Sequence, residues 1–247
     1  MIDLHCHLLP AVDDGALSLE MAVTMARALA ARGYQTIAAS PHMGTGPGGD
    51  VALEVAAAAR ALLAAELRRL DVVLELVPNG EHWLSTELFD RLAAGTAVPI
   101  GGAGRWLLVE VPWTGIPNLE DVIFRLQTKG WRLLLAHPER LESLSLELLL
   151  RLSARGVRMQ LELGSFVGMF GGDAEHKAEL LMRKGVAHVL ATDMHRPDKA
   201  SEWLAAALTA VQRRFGLEAL RRGTADNPRL ILDNGGAEAV APLVEVA

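Results

Sequence analysis

Two histidines one residue apart, His5 and His7, stand at the end of the first apolar run, and two acids, Asp13 and Asp14, follow them. If the run Ile2–Cys6 is a β-strand, its side chains alternate between two faces, so both imidazoles lie on one face and the intervening thiol on the other. Imidazole and carboxylate groups bind divalent metals and carry protons. The pair alone is a weak signal, because such a short motif often arises by chance.

His, Asp or Glu also stands at or just after the end of most later apolar runs. In chain order these residues are His42, Glu81, Glu110, His137, Asp193 and His195. Five of the eight histidines therefore fall near the end of a run, which scattered core or surface histidines would not do. If the runs are parallel strands, their carboxyl ends meet where the active sites of such folds lie. We expect these side chains to share one pocket with His5 and His7.

Four further titratable residues are interpreted differently. Glu162 ends the run "MQLELGS" and is a less certain member of the pocket. His82 adjoins Glu81 and is expected to face away from it, His176 lies on a polar helix face, and His188 stands at the wrong end of its strand. We expect structural or solvent-facing roles for these three histidines.

So many imidazoles and carboxylates in one pocket would repel one another and would be costly to desolvate without a compensating cation. Metal ions are the natural solution. The mixture of imidazole and carboxylate suits Mn, Fe or Zn and argues against a structural thiolate site. The ligands exceed what one ion can use, which predicts a cluster of about two or three ions.

The elements that must position these residues are short β-type runs that alternate with stretches of helical period. The predicted strands are Ile2–Cys6, Thr36–Ser40, Val72–Val77, Trp106–Val111, Leu133–Ala136, Arg158–Leu163 and His188–Thr192. The predicted helices are Ser18–Ala31, Val51–Leu70, Ser85–Ala93, Asn118–Lys129, Ser143–Ala154 and Ala174–Lys184. This alternation predicts an α/β fold with a parallel, barrel-like sheet and crossover helices.

One domain over residues 1–247 accounts for the whole chain. Asp198–Gly223 is strongly helical, and Gly44–Gly49, "GTGPGG", is a flexible loop by composition. The tail from about residue 235, "GGAEAVAPLVEVA", is expected to fray.

Composition excludes several classes of protein. With 247 residues, 51% hydrophobic, the chain can bury a full-sized core. A net charge of −6 without a dense Lys/Arg run argues against nucleic acid as the main partner. The single cysteine cannot form an internal disulfide, and no apolar run reaches membrane-spanning length or resembles a signal peptide. We expect a cytoplasmic protein without membrane insertion, and an oligomer is compatible with the sequence.

The motifs together resemble the PHP (polymerase and histidinol phosphatase) superfamily. The match runs, in the family's order, through "MIDLHCHLLPAVDDGA", "ASPHM", "GEHW", "LVEVPW", "AHPERL", "MQLELGS", "ATDMH" and "DNPRLIL". Within the superfamily, the chain is similar to the bacterial manganese-dependent protein tyrosine phosphatases associated with capsule and exopolysaccharide assembly. The resemblance covers nearly the whole chain and implies a distorted seven-stranded (β/α)7 TIM-like barrel of PHP type.

The resemblance also implies the ligands of three metal ions. One ion would be bound by His5, His7, Glu81 and Asp193, a second by Glu81 as a bridge with Glu110 and His137, and a third by Asp14, His42 and His195. The implied metal is Mn²⁺, with Fe²⁺ or Zn²⁺ as alternatives. Asp13 is no ligand in this mapping and is expected to stabilise the turn before Gly15.

Substrate contacts are less complete. The resemblance implies that Arg140, in "AHPER", binds the phosphate by bidentate hydrogen bonds. The branch commonly has a second arginine beyond the final histidine, but "MHRPDKASE" has none in the matching place, and Arg196 is the candidate substitute. Trp83, Trp113, Phe166 and Phe170 follow catalytic-end strands, where packing under loops is favoured over contact with a substrate ring.

The implied activity is hydrolysis of a phosphotyrosine protein, such as a bacterial tyrosine kinase or exopolysaccharide-assembly protein, by water that the metals activate. A cysteine-dependent mechanism is excluded, because such enzymes need Arg six places after the cysteine and Val12 stands there. Two alternatives remain open. One is a PHP phosphatase of a small metabolite such as histidinol phosphate or a nucleotide, and the other is a non-catalytic metal-binding module.

Overall fold

Parallel strands alternate with helices along the chain, in a computed structural model that describes residues 1–245. The strands are β1 (Ile2–Cys6), β2 (Thr36–Ala39), β3 (His42–Met43), β4 (Glu75–Pro78), β5 (Glu81–Trp83), β6 (Trp106–Glu110), β7 (Arg132–Ala136), β8 (Arg158–Glu162) and β9 (Val189–Ala191). The helices are α1 (Leu19–Ala30), α2 (Leu53–Arg69), α3 (Thr86–Ala94), α4 (Leu119–Thr128), α5 (Leu146–Ala154), α6 (Gly172–Arg183), α7 (Ala200–Arg221) and α8 (Asn227–Leu232). Each predicted strand and helix is present, with ends shifted by a few residues.

The strands form two parallel sheets, ordered β1-β2-β4 and β3-β5-β6-β7-β8-β9. The described residues thus contain nine strands where the sequence predicts seven, because β3 and β5 follow β2 and β4 after short interruptions. The first interruption contains Pro41, which has no N–H for a sheet ladder. The second contains Gly80, where a side chain would collide with the Met43 thioether. Both interruptions lie directly before residues of the predicted pocket.

The two sheets meet where β1 lies beside the segment after β9. The backbone N–H of His7 donates to the carbonyl of Met194 at 3.0 Å, and that of Asp193 donates to the carbonyl of His5 at 2.8 Å. Asp3, which is fully buried, accepts hydrogen bonds from the Thr192 hydroxyl at 2.5 Å and from the Thr192 and His5 backbone N–H groups at 3.2 Å. These contacts place the first two histidines of the chain beside the last acid of the pocket.

Apolar side chains fill the space below the pocket and between sheet and helices. In β6, alternate residues lie on the same face, so Trp106 and Leu108 join the smaller core cluster while Glu110 ends the strand above them. The intervening Leu107 and Val109 join the larger cluster, to which the helices contribute. The strands thus deliver polar residues to one end and apolar residues to the rest of their length.

The C-terminal segment is packed against the fold, so the expectation that it frays from about residue 235 is wrong for the described residues. The Trp106 indole N–H donates to the carbonyl of Gly235 at 2.8 Å, and the backbone N–H of Leu243 donates to the carbonyl of Ala187 at 2.8 Å. Val240 and Leu243 are buried. These apolar side chains complete the core. The Gly- and Ala-rich composition of the tail gave no indication that it would pack in this way. The last two residues of the tail lie outside the described range.

Replacing Thr192 by Val is expected to weaken the junction between β1 and β9. Valine has nearly the same shape, but it leaves a buried Asp3 carboxyl oxygen without its hydroxyl donor, which costs about 1–3 kcal/mol. Urea unfolding measures the loss. Thr209→Val is the matched control, since this hydroxyl donates to the Ala205 carbonyl on an exposed face of α7. Equal stability of the two variants would contradict a structural role for the Asp3–Thr192 contact.

Candidate metal centre

Nine side chains meet at the carboxyl end of the strands, and they are the nine that the sequence predicts as metal ligands. His5, Glu110, His137 and Asp193 lie within two residues of the carboxyl ends of β1, β6, β7 and β9. The others, His7, Asp14, His42, Glu81 and His195, lie on short strands or loops at the same end. All are buried or half-buried except Asp14.

The deepest part of the cluster contains His5, His7, Glu81 and Asp193. The two Nε2 atoms are 3.1 Å apart. His5 Nε2 lies 3.3 Å from Glu81 Oε1 and 3.1 Å from Asp193 Oδ1, and His7 Nε2 lies 3.3 Å from Glu81 Oε2 and from the same Asp193 oxygen. Four ligands arranged tetrahedrally at about 2.1 Å from an ion are about 3.4 Å apart, so this spacing fits a single cation.

Two further groups extend the cluster outward. His137 Nε2 lies 3.0 Å from Glu81 Oε1 and 3.9 Å from Glu110 Oε1. Asp14 Oδ1 lies 3.2 Å from His42 Nε2 and 3.4 Å from His195 Nε2. Ligand atoms of each of four overlapping groups lie within 4.8 Å of one another, and Glu81 belongs to two of these groups. The nine residues therefore form one continuous cluster with room for more than one ion.

Charge balance within the cluster shows what a cation would do. Burial, the largest single effect, lowers the pKa of His7, but hydrogen bonds to Asp13, Asp193 and Glu81 outweigh it and raise that pKa well above its usual value. For Glu81, burial raises the pKa, but the His5 charge and neighbouring imidazoles lower it well below the usual range. The raised pKa values of His5, His7 and His42 thus favour protonated imidazoles, which neutralise the carboxylates while no cation is bound. Metal ions would replace these protons and release them to solvent.

Neighbouring side chains orient the imidazoles. His5 Nδ1 donates to Gln160 Oε1 at 2.9 Å, and His7 Nδ1 donates to Asp13 Oδ2 at 2.9 Å, so each Nε2 faces the cluster. Asp13 also accepts from the Gly15 backbone N–H at 2.9 Å, which confirms its predicted turn role. Its bond to His7, and the role of Gln160, were not predicted. Gln160 shares a face of β8 with Glu162, which was the one available signal.

The two candidate arginines differ in position. Arg140 Nη1 lies 2.7 Å from Glu162 Oε1 and 3.2 Å from Asp193 Oδ2, so its guanidinium stands at the rim of the cluster. Glu162 is thus a fully buried partner of Arg140 and not a member of the nine. Arg196 Nη1 donates instead to backbone carbonyls of Asp14 at 2.6 Å, of Gly15, and of His195 at 3.0 Å. Through these hydrogen bonds Arg196 connects the loop of Asp14 and Gly15 to the loop of His195.

The three histidines that were expected to lie elsewhere do so. The His82 Nε2–H donates to the Val98 carbonyl at 3.1 Å, and burial lowers its pKa to about 4. His188 Nδ1 accepts from the Met159 backbone N–H at 3.2 Å, and burial lowers its pKa to about 3. His176 is exposed on α6. His82 and His188 are therefore buried, neutral structural residues and His176 faces solvent, as expected.

The loop 44–49, expected to be flexible, packs against the cluster. Gly48 lies so close to the His42 ring that any side chain there would overlap it, and Gly46 is similarly close to the Trp83 ring. Asp50 ends the loop, accepting from the Gly44 backbone N–H at 3.1 Å and pairing with Arg91. Glycine is therefore required here for close approach, and the loop forms a wall of the site.

These features define a parallel α/β protein with a candidate centre for several metal ions, built from imidazole and carboxylate ligands. Residues 1–233 match the model of a family described as "Capsular polysaccharide synthesis, CpsB/CapC". The chain belongs to the CpsB/CapC family, which confirms the resemblance to this branch.

Named relatives cover most of the chain. The tyrosine-protein phosphatase YwqE of Bacillus subtilis is 32% identical over 237 residues, which are 95% of this chain and 92% of YwqE. The putative tyrosine-protein phosphatase CapC of Staphylococcus aureus is 27% identical over 79% of this chain and 77% of its own length.

Solved structures agree in fold. One comes from the crystal structures of YwqE from Bacillus subtilis and CpsB from Streptococcus pneumoniae, described as unique metal-dependent tyrosine phosphatases. It superposes with a TM-score of 0.88 at 30% identity, covering 99% of this chain and 100% of that chain. The inactive dihydroorotase-like domain of a Chaetomium thermophilum CAD-like protein superposes with a TM-score of 0.57 at 14% identity, over 94% of this chain and 78% of that chain. This second likeness shows the fold alone.

Asp13→Asn is expected to weaken metal binding without removing a ligand. The amide can keep the turn contact to Gly15, but it loses the carboxylate that accepts from His7 Nδ1, and loss of such an orienting partner typically costs about 10- to 100-fold in metal affinity. Calorimetric titration with Mn²⁺ measures the change. Asp71→Asn is the control, because Asp71 is exposed with φ of 54°, a conformation that asparagine tolerates. Unchanged affinity in Asp13→Asn would refute the orienting role.

Gly48→Ala is expected to displace the His42 ring, since a methyl group cannot fit beside it. We expect at least about tenfold weaker binding of the ion nearest His42, comparable to loss of an orienting contact. Elemental analysis of protein dialysed at limiting Mn²⁺ measures the lost occupancy. Gly172→Ala adds the same methyl group at the start of α6, where nothing lies within 4 Å. Equal metal content in both variants would mean that the loop is free to move away from His42.

Proposed function

We propose that this chain is a metal-dependent protein tyrosine phosphatase that hydrolyses phosphotyrosine in a protein substrate. The observation that carries the proposal is the continuous cluster of nine imidazole and carboxylate ligands with the Arg140 guanidinium at its rim. Such a cluster offers positive charge to a phosphoryl group once it holds cations, and the arginine adds directed hydrogen bonds. The tyrosine-protein phosphatase activity named for YwqE supports the substrate class.

The proposed ligand sets are those that the family resemblance implies. His5, His7, Glu81 and Asp193 hold the deepest ion, Glu81 with Glu110 and His137 hold a second, and Asp14 with His42 and His195 hold a third; close contacts within each set support the assignment. Donor spacing alone groups some of these residues differently, with His137 beside His5 and Asp193, and with Glu110 beside His42 and Glu81. Mn²⁺ is the proposed metal, with Fe²⁺ and Zn²⁺ as the alternatives that suit the same imidazole and carboxylate donors. Two ions suffice if the outermost group stays empty.

Ions in such a cluster supply a water of lowered pKa and neutralise charge on the phosphoryl oxygens. The residues of this chain do the rest. Arg140 stays cationic, because its pairing with Glu162 raises its pKa despite the opposing effect of burial, and it orients the phosphate. Pro47, Gly48 and Trp113 form walls of the cavity that the ligands line. Arg196 joins the loop of Asp14 to the loop of His195 through its Nη1 and also lines the cavity beside the cluster, so it is the proposed second phosphate-binding arginine.

The architecture proposed for the chain is a distorted seven-stranded barrel of PHP type in one domain over residues 1–247. Counting β2 with β3 and β4 with β5 as interrupted strands reduces nine strands to seven. The hydrogen bonds between His7 and Met194, and between Asp193 and His5, support closure at one junction of the sheets.

The cellular setting is also proposed. None of the helices in the described part of the chain is long and apolar enough to cross a membrane. A cytoplasmic phosphatase of a bacterial tyrosine kinase or exopolysaccharide-assembly protein is consistent with membership of a capsular polysaccharide synthesis family. The net charge of −6 disfavours nucleic acid as a partner.

The decisive experiment couples metal content to activity in a His137→Asn variant. Asparagine tolerates the left-handed backbone of His137, whose φ is 33°, but supplies no imidazole. With a phosphotyrosine peptide and Mn²⁺, we expect at least about 100-fold lower kcat/KM together with loss of bound metal, and a chelator should abolish wild-type turnover. His176→Asn, at an exposed position on α6, should match the wild type.

The same assay separates the alternatives. Wild-type protein that prefers histidinol phosphate or nucleoside monophosphates over phosphotyrosine peptides would be a metabolite phosphatase. Protein that binds metal but is inert with Mn²⁺, Fe²⁺ and Zn²⁺ would be a non-catalytic module. Full activity in the presence of chelator would reject metal dependence altogether.

A further inference from the structure

Two cavities of different size and chemistry meet beside the metal-ligand cluster. The smaller, about 110 Å³, is lined by ligands including Asp14, Glu81 and Glu110. The larger, about 430 Å³, lies toward α7. Arg140, Asp193 and His195 line both cavities, so the two share a rim. A substrate can therefore occupy both at once.

The volumes of the two cavities suit different parts of a substrate. The smaller one has about a quarter of the volume of the larger one, which suits ions and a phosphoryl group better than these together with a six-membered ring. The larger cavity falls within the range of about 300–1,000 Å³ that small-molecule sites occupy. The organic part of the substrate, to which the phosphoryl group is attached, is therefore expected to lie outside the small cavity.

The larger cavity has an apolar, partly aromatic part beside a polar part that includes Thr192, Arg196 and Asp198. Met169, Phe170 and Trp203 form its sides and Met194 its buried floor; we call these four residues the aromatic recess. Met169 and Phe170 keep 50% and 36% of their surface exposed, so both are accessible to a ligand in this cavity. Ring faces and thioethers make favourable contacts with an aromatic ring.

Arg140 joins the recess to the cluster. Its guanidinium lies over the Phe170 ring, 4.5 Å from the ring centre, while its Nη1 contacts Glu162 and Asp193. Arg140 thus presents its positive charge to the small cavity while the Phe170 ring of the recess packs against its guanidinium. A phosphoryl group held at Arg140 would carry its organic part toward Phe170.

A second aromatic side chain near the site is less suitable. Trp113 lines the small cavity, and its indole N–H donates to Glu110 at 3.4 Å, but 64% of its surface is exposed. A ring stacked on Trp113 would be covered on one face, whereas the recess offers contact on several sides.

We propose that the aromatic recess binds the ring of an aryl phosphate while the small cavity binds its phosphoryl group, so that Met169, Phe170 and Trp203 determine specificity for tyrosyl over aliphatic phosphates. This inference rests on the proposed phosphatase function, which it deepens by assigning the position of the leaving group. Met169 and Trp203 act on the ring alone, whereas Phe170 also packs against the Arg140 guanidinium and is therefore left unchanged in the variants.

Two non-hydrolysable probes isolate the ring from the phosphoryl group. Phenylphosphonate and methylphosphonate share an anionic head, so the ratio of their dissociation constants for Mn²⁺-loaded protein, measured by calorimetry, reports the ring. We expect phenylphosphonate to bind the wild type about tenfold tighter or more, as burial of an aromatic ring allows. In Met169→Ala/Trp203→Leu the preference should fall to about twofold, with methylphosphonate affinity unchanged.

Single substitutions guard against misfolding of the double variant. Met169→Ala removes an exposed side chain and should lower the ratio by about twofold to threefold. Phe124→Leu, which removes an exposed ring on α4, is the matched control and should leave the ratio unchanged. An unaltered ratio in Met169→Ala and in the double variant would overturn the proposal, as would loss of ring preference in Trp113→Leu alone. Equal loss of affinity for both probes would also overturn it.

The outcomes separate this inference from the function on which it rests. If the recess variants lose ring preference but the wild-type protein releases no phosphate from phosphotyrosine peptides, the recess is supported and the phosphatase function fails. If turnover of phosphotyrosine persists and the ratio is unaffected by the recess variants, the function is supported and the recess fails.

Discussion

The carboxylate of Glu81 lies within 3.3 Å of four imidazole nitrogens, and the rest of the site is arranged around that contact. The four rings belong to His5, His7, His42 and His137. A fully buried carboxylate so surrounded needs positive charge, either from protons on the imidazoles or from metal ions. Since protons and metal ions compete for the same nitrogens, metal affinity in this cluster must fall as the pH is lowered.

Such crowding requires a rigid frame, which the junction of the two sheets supplies. Asp3 ties β1 to Thr192, one residue before Asp193, so two ligands far apart in sequence are held by a shared buried hydrogen-bond network. Burial raises the pKa of Asp3 to about 6 in spite of those hydrogen bonds. The contact therefore costs desolvation, and its benefit is the fixed separation of His5 and Asp193.

The metal ligands of this protein could be predicted from its sequence, whereas the contacts that hold those ligands in place could not. Strand β1 has the predicted bounds, and eight of the nine ligands could be predicted because alternation and placement near strand ends are local patterns; Asp14, in the loop after β1, was expected as a ligand only from the family resemblance. The hydrogen bond between His5 and Gln160 joins residues 155 positions apart, and no local pattern encodes it. The docked tail is similar, since Val240 is apolar in isolation and becomes a core residue only through tertiary packing.

Backbone conformation helps to aim two of the ligands into the cluster. His137 directly follows β7 and Asp193 follows β9 after one residue, and both have positive φ, 33° and 46°, in the left-handed region that non-glycine residues seldom adopt. Each such residue costs roughly 1–3 kcal/mol and persists only where its surroundings enforce it. At both positions the turn aims a ligand into the cluster at the point where the strand ends. Glycine would remove the strain at either position but supplies no ligand, so the strain is the consequence of needing an imidazole and a carboxylate there.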